Sequence, residues 1–359
     1  MTATRLYHTI MARLREMRPH ERVTRLRNLS WLMVGIFLSR SVHLHRAAAK
    51  MPGPALNLSK ERRLRRFVHN RAVQVRDWYE PMARALLMAA HGSSGVVRLI
   101  LDATKVGTGH QWLVVALAYR RRALPIAWTW VPHAKGHSKA RVQCALLAYV
   151  RRLLPEGAQV EVVGDSEFSS VAVIEWVESW GWHYALRQKG HHKLRRPGQE
   201  HWEACGDLVT APGQKAWLED VELTESHGCR TNFLAVWRRG EKEPLLLATS
   251  APSARAAQSM YRRRPWLDET FGDSKGHGFD LEATHLRSFR ALSRLILAVV
   301  LLYVWTVAFG SQTIKNGLRR LVDRSDRRDL SVFRIGLYML ERCLANGDRI
   351  AWRLIPYFT

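Results

Sequence analysis

Apolar residues recur every three to four positions through LYHTIMARLREM and RVTRLRNLSWLMVGIFL, a spacing that predicts helices over residues 1 to about 90. The stretch KMPGPALNLS interrupts the pattern before the basic segment KERRLRRFVHNRAV. The rhythm changes at GSSG, residues 92–95, where a linker is expected. Beyond it VVRLILDAT, QWLVVALAYR and LPIAWTWV are rich in Val, Leu, Ile and Trp and predict three strands, with RRRA short enough for a hairpin. A helix is expected over Ser138–Leu154, capped by Ser138 and stopped by LPEG. A strand in QVEVVGDSEF, a helix near Ser170–Trp180 and a strand in WHYALRQ follow.

The order β-β-β-α-β-α-β predicts a mixed α/β fold. Between Gly190 and Ser250, turn residues and short strands form a β-rich insertion, and from about Ala256 helices are expected to continue to the C-terminus. The expected organisation is a helical basic module over 1–92, an α/β domain over 93–310 with the insertion at 191–250, and a helical region over 311–359. The apolar runs Leu29–Leu38 and Leu295–Phe309 fall short of the roughly 20 residues needed to span a bilayer, so both predict buried core helices and no membrane partner.

Charge narrows the choice of partner. The chain carries 56 Lys and Arg against 31 Asp and Glu, a net charge of +25, and is 47% hydrophobic. It is therefore a globular protein whose natural partner is a polyanion. Residues 1–75 hold 16 basic side chains and only three acids, so about half the surplus sits in the first module, with Arg62, Arg63, Arg65 and Arg66 its densest cluster. The four cysteines, Cys144, Cys205, Cys229 and Cys343, form no CxxC pair, and nothing at the N-terminus reads as a signal peptide, so a reducing cytoplasm is expected.

Two acids stand in apolar strand contexts, Asp102 in LILDAT and Asp165 in EVVGDSEF. A buried carboxylate is costly unless it is paired or binds metal. Strands one and four can be sheet neighbours, which would bring these two acids together. A third source of acids is YRRRPWLDETFGDSKGHGFDLEATH, residues 261–285. At about 100° per residue, Asp268 and Lys275 share one helix face, while Glu269 points about 100° away. Pro265 suits a first helical turn, leaving Tyr261 and Arg264 ahead of the helix.

Tyr261, Arg264 and Lys275 match at its spacing the signature YxxRxxxExxxxxxK, with Asp268 at the glutamate position. With LILDAT, GDSEF, WGWHYALRQKG and PLLLATS the chain resembles the DDE transposases of bacterial insertion sequences over residues 95–310. The resemblance implies an RNase H-like core: a mixed central sheet flanked by helices, with a β-rich insertion. It implies Mg²⁺ or Mn²⁺, two ions, and cleavage at the ends of the protein's own element, joining a 3′ hydroxyl to target DNA. It makes Asp102 and Asp165 two metal ligands and Asp268 or Glu269 the third acid. Asp268 keeps register with Arg264 and Lys275, although its side chain is about 1.5 Å shorter than glutamate.

By the same resemblance Tyr261, Arg264 and Lys275 contact phosphates, and the partners are terminal inverted repeats and target DNA, gripped by a homodimer in the active complex. Trp266 is the tryptophan best placed to stack on a displaced base. Two other readings stay open: an impaired copy that binds DNA without cutting, and a host RNase H-like nuclease.

Overall fold

The computed structural model describes residues 2–107, 109–132 and 138–358. Five helices come first: α1 (Thr2–Met17), α2 (Val23–Ser39), α3 (Leu44–Ala49), α4 (Asn57–Val68) and α5 (Val75–Ser94). The residues read as a linker are instead the last turn of α5, closed by Gly95 in the left-handed conformation at φ 68°. The helical rhythm simply runs three residues further than the small, polar sequence suggests.

Strands β1 (Val96–Val106), β2 (His110–Tyr119) and β3 (Arg122–Val131) form an antiparallel meander. Arg120 and Arg121 make the two-residue turn between β2 and β3, both at positive φ (44° and 62°). That mirror-image turn matches strand twist but normally recruits Asn or Gly, so two arginines there are held against their preference. Helix α6 (Ala140–Arg151), β4 (Gln159–Gly164), α7 (Val171–Ser179) and β5 (His183–Arg187) complete the order read from the sequence. Ser138 does not cap α6. Its backbone N–H and its hydroxyl both donate to Glu167, and Lys139 holds the cap position.

The insertion supplies β6 (Lys193–Arg195), β7 (Glu203–Ala204), β8 (Lys215–Leu223), β9 (Cys229–Val236) and β10 (Leu245–Thr249). These strands extend the central sheet. The order is β3-β2-β1-β4-β5-β10-β9-β8-β6-β7, because β10 returns to pair antiparallel with β5. In the half formed by β1 to β5, β4 lies parallel to β1, and β5 parallel to β4. This is the RNase H-like mixed sheet.

Four helices follow: α8 (Ala254–Tyr261), α9 (Pro265–Ser274), α10 (Phe289–Lys315) and α11 (Val332–Asn346). Helix α10 is long and apolar enough to cross a membrane by length and composition, yet 94% of its most apolar window is buried inside the protein. It is apolar on all sides because it is surrounded by protein. Gly310 and Gly336 let α10 and α11 cross closely: a Cβ at Gly336 would lie 1.9 Å from the Thr306 carbonyl oxygen.

The boundaries expected at 92 and 310 both fall inside helices, α5 and α10. After Asn346 the chain is irregular rather than helical, and Trp352 packs on Trp305 while its indole N–H donates to the Trp305 carbonyl. One buried cluster runs from Leu6 through the sheet to Trp352. Arg294 ties the N-terminal helices to α10, donating from Nε to the Val73 carbonyl at 3.0 Å and from Nη1 to the Val68 carbonyl at 3.1 Å.

Candidate active site

The parallel register of β1 and β4 aligns Leu101 with Gly164, so Asp102 and Asp165 occupy the next rung side by side. Asp102 is buried, at 5% exposure, and its Oδ1 accepts the Ala103 N–H at 2.8 Å. Asp165 follows β4 directly and caps a short 3₁₀ turn, its Oδ1 accepting the Ser166 N–H at 2.6 Å.

The third acid arrives on α9. Pro265 occupies the start of the helix with Arg264 ahead of it. Arg264 then reaches back into the sheet. Its Nη2 lies 3.1 Å from Asp102 Oδ2 and 3.0 Å from Asp165 Oδ2, and its Nη1 donates to Asp268 Oδ2. Three acids from β1, the end of β4 and α9 thus surround one guanidinium. Burial first, and then the Asp268 charge, push the Asp102 carboxyl up to about 7, against the opposing pull of Arg264. Tyr261, the last residue of α8, is pushed up to about 12 by burial and by the neighbouring Asp165 carboxylate.

Glu269 does not join this group. It lies on the other side of α9, where Arg122 Nη1 is 3.2 Å from its carboxylate. Helical phase explains the separation, since adjacent residues diverge by about 100°. Lys275 is not brought to the acids either. Helix α9 ends at Ser274, and Lys275 (φ −91°, ψ −127°) leaves helical geometry, so its phase does not carry over; its Nζ pairs with Glu282 at 3.1 Å. Trp266 packs partly buried against the core, beside a cleft lined by Arg120, Arg121, Arg122, Arg319 and Arg328.

A profile of the transposase DDE domain family matches residues 95–305, more than half of the chain. The chain belongs to this family. Its matched span contains Asp102, Asp165 and Asp268 together. A solved structure, the piggyBac transposase synaptic complex with hairpin DNA, is similar at a TM-score of 0.49 and 8% identity, over 95% of this chain and 78% of that chain. No curated protein matches.

In this transposase the densest basic cluster of the first module lies on α4. Arg62 and Arg66 are exposed and make no ion pair among the described residues, whereas Arg65 pairs with Glu61 at 2.8 Å and Arg63 donates to Asn28 at 2.6 Å. Arg63 and Arg66, with Arg27 and Asn28 of α2, line a groove of about 380 Å³.

The DDE domain holds a second charged cluster that sequence reasoning missed. Arg122 Nε donates to the buried Asp273 at 2.5 Å, and the Thr270 hydroxyl both accepts the Ala123 N–H at 2.8 Å and faces the Ala123 carbonyl at 3.0 Å. These contacts clamp α9 to the start of β3. The available signal was the i,i+4 spacing of Glu269 and Asp273, which puts both acids on one face, turned about 100–140° from Asp268.

Proposed function

We propose that this transposase hydrolyses a DNA strand at the end of its own insertion sequence and joins the freed 3′ hydroxyl to target DNA. The observation that carries the reading is the convergence of Asp102, Asp165 and Asp268 inside the family domain. Their oxygens suit a hard cation such as Mg²⁺ or Mn²⁺, and buried Asp102 Oδ2 makes no aligned hydrogen bond among the described residues, its cationic neighbour being the Arg264 guanidinium at 3.1 Å. Among the described residues no three such side chains already form a metal cage, and the guanidinium of Arg264 contacts all three aspartates. Two ions held there would activate the attacking oxygen and stabilise the leaving one.

Asp102 and Asp165 hold their positions through their own backbone caps, and Asp268 is delivered by α9. Arg264 and Tyr261 border the acids, where they would meet the scissile phosphate. Lys275 and Trp266 lie further out, suited to flanking DNA. Exposed Arg62 and Arg66 would grip the terminal repeats, and two copies of the chain would hold two ends.

The test is nicking of a plasmid carrying the flanking inverted repeats, with Mg²⁺ supplied. Asp268→Asn is expected to lose at least about 100-fold in cleavage, and Glu269→Gln to stay within a few-fold of wild type. The reverse ranking would reassign the third acid. Tight binding without any wild-type cleavage would mean an impaired copy.

For the N-terminal helices the expected result is electrostatic. Arg62→Ala and Arg66→Ala should each reduce the slope of log K against log salt by about 1, uniformly across DNA sequences. An unchanged slope in fluorescence-anisotropy titrations would remove α4 from the interface.

A further inference from the structure

Arg264 is unusual among the basic side chains near the acids. Among the described residues, every charged contact of its head group is with one of the three aspartates: Asp102 at 3.1 Å, Asp165 at 3.0 Å, and Asp268. Its Nε is buried and has no hydrogen-bond partner among the described residues. Its side chain is 18% exposed, so the guanidinium sits within the cluster rather than over it.

We propose that Arg264 is the internal cation of the DNA-free site: its guanidinium holds the three aspartates together, keeps divalent ions out, and yields to them when a DNA phosphate draws it away. This rests on the reading of the three acids as metal ligands.

The charge balance favours such an exchange. Three carboxylates around one guanidinium leave a surplus of negative charge, so the site still attracts cations. A divalent ion approaching the same oxygens must nevertheless enter beside a fixed positive group, and like charges at contact distance repel strongly in a partly buried site. A phosphodiester offers the guanidinium a bidentate partner of the same kind it would lose. The three aspartates are the charged groups that hold the head group among the described residues. Reciprocity then couples the ligands: DNA that withdraws Arg264 tightens metal binding, and metal that displaces Arg264 tightens DNA binding. Metal loading would thus follow engagement of DNA.

The experiment measures Mn²⁺ binding to the full chain by electron paramagnetic resonance, with and without a mixed-sequence DNA duplex at low salt. Without DNA, Arg264→Gln is expected to bind Mn²⁺ at least about tenfold more tightly than wild type. DNA should raise the wild-type affinity and leave the variant's nearly unchanged. The rise in thermal midpoint on adding Mn²⁺ should be larger for the variant, a second readout independent of cleavage. Should Arg264→Gln fail to fold, Arg264→Met, which removes the charge from a side chain of similar length, is expected to shift affinity in the same direction.

Equal or weaker Mn²⁺ binding by the variants, or no binding by any of them, overturns the proposal. A different outcome overturns the reading beneath it: wild-type Mn²⁺ binding that survives Asp102→Asn would show that the acids are not the metal site.

Discussion

Asp102→Asn is expected to reduce metal-dependent strand cleavage by about 10³-fold or more while leaving DNA binding within a few-fold of wild type. The residue is 5% exposed, its Oδ2 faces the Arg264 guanidinium at 3.1 Å, and asparagine would replace one carboxylate oxygen with an amide that binds metal poorly. The same substitution should stabilise the metal-free protein at neutral pH. Burial raises the Asp102 carboxyl from an ordinary 3.8 to about 7. Between these values the folded state holds a proton that the unfolded chain has released, so stability falls as pH rises through that window. It is fully present below about pH 4 and lost above about pH 7. Thermal melts in chelator should show Asp102→Asn gaining on wild type from pH 5 to pH 8. A constant difference across that range would show that Asp102 is already ionised at low pH. Full cleavage by the variant would exclude it from the chemistry.

Arg122→Ala is expected to destabilise the fold by about 3–5 kcal/mol, because it leaves the buried Asp273 carboxylate without its cation. Asp273 has only 2% of its side chain exposed, and burial already raises its carboxyl against the opposing pull of Arg122. The pair is not expected to be stabilising in itself. A double variant, Arg122→Met with Asp273→Leu, should recover most of the loss by removing both charges. Cleavage should fall in Arg122→Ala even where the protein remains folded, since the same helix presents Asp268 on another face. Urea unfolding of the single and double variants measures the coupling. A loss below about 1 kcal/mol would place the pair among ordinary surface ion pairs.

Much of the scaffold is legible in the sequence. The alternation through LILDAT and EVVGDSEF placed Asp102 within a strand and Asp165 at a strand end, and Pro265 opens α9 as its ring requires. Other readings failed where a local signal competed with a longer-range one. GSSG has the composition of a linker but is carried into α5 by the helix before it, and Lys275 loses helical phase because α9 stops one residue earlier. The insertion was visible as β-rich, yet only the pairing of β10 with β5 makes it part of the central sheet.

Sequence alone determined the secondary structure of the core, the basic character of the first module, and the kinds of side chain available for chemistry. These depend on periodicity, turn residues and charge among near neighbours, which act within a few residues of chain. Tertiary structure decided the partners. Asp268 and Glu269 are adjacent in sequence, but one meets Arg264 and the acids of β1 and β4, while the other meets Arg122 at the start of β3. Arg264 lies 99 residues from Asp165, and Arg122 lies 151 from Asp273. Only the packing of α9 against the sheet brings such residues within a hydrogen bond, and that contact separates the acid at the centre of the cluster from the one that anchors the helix.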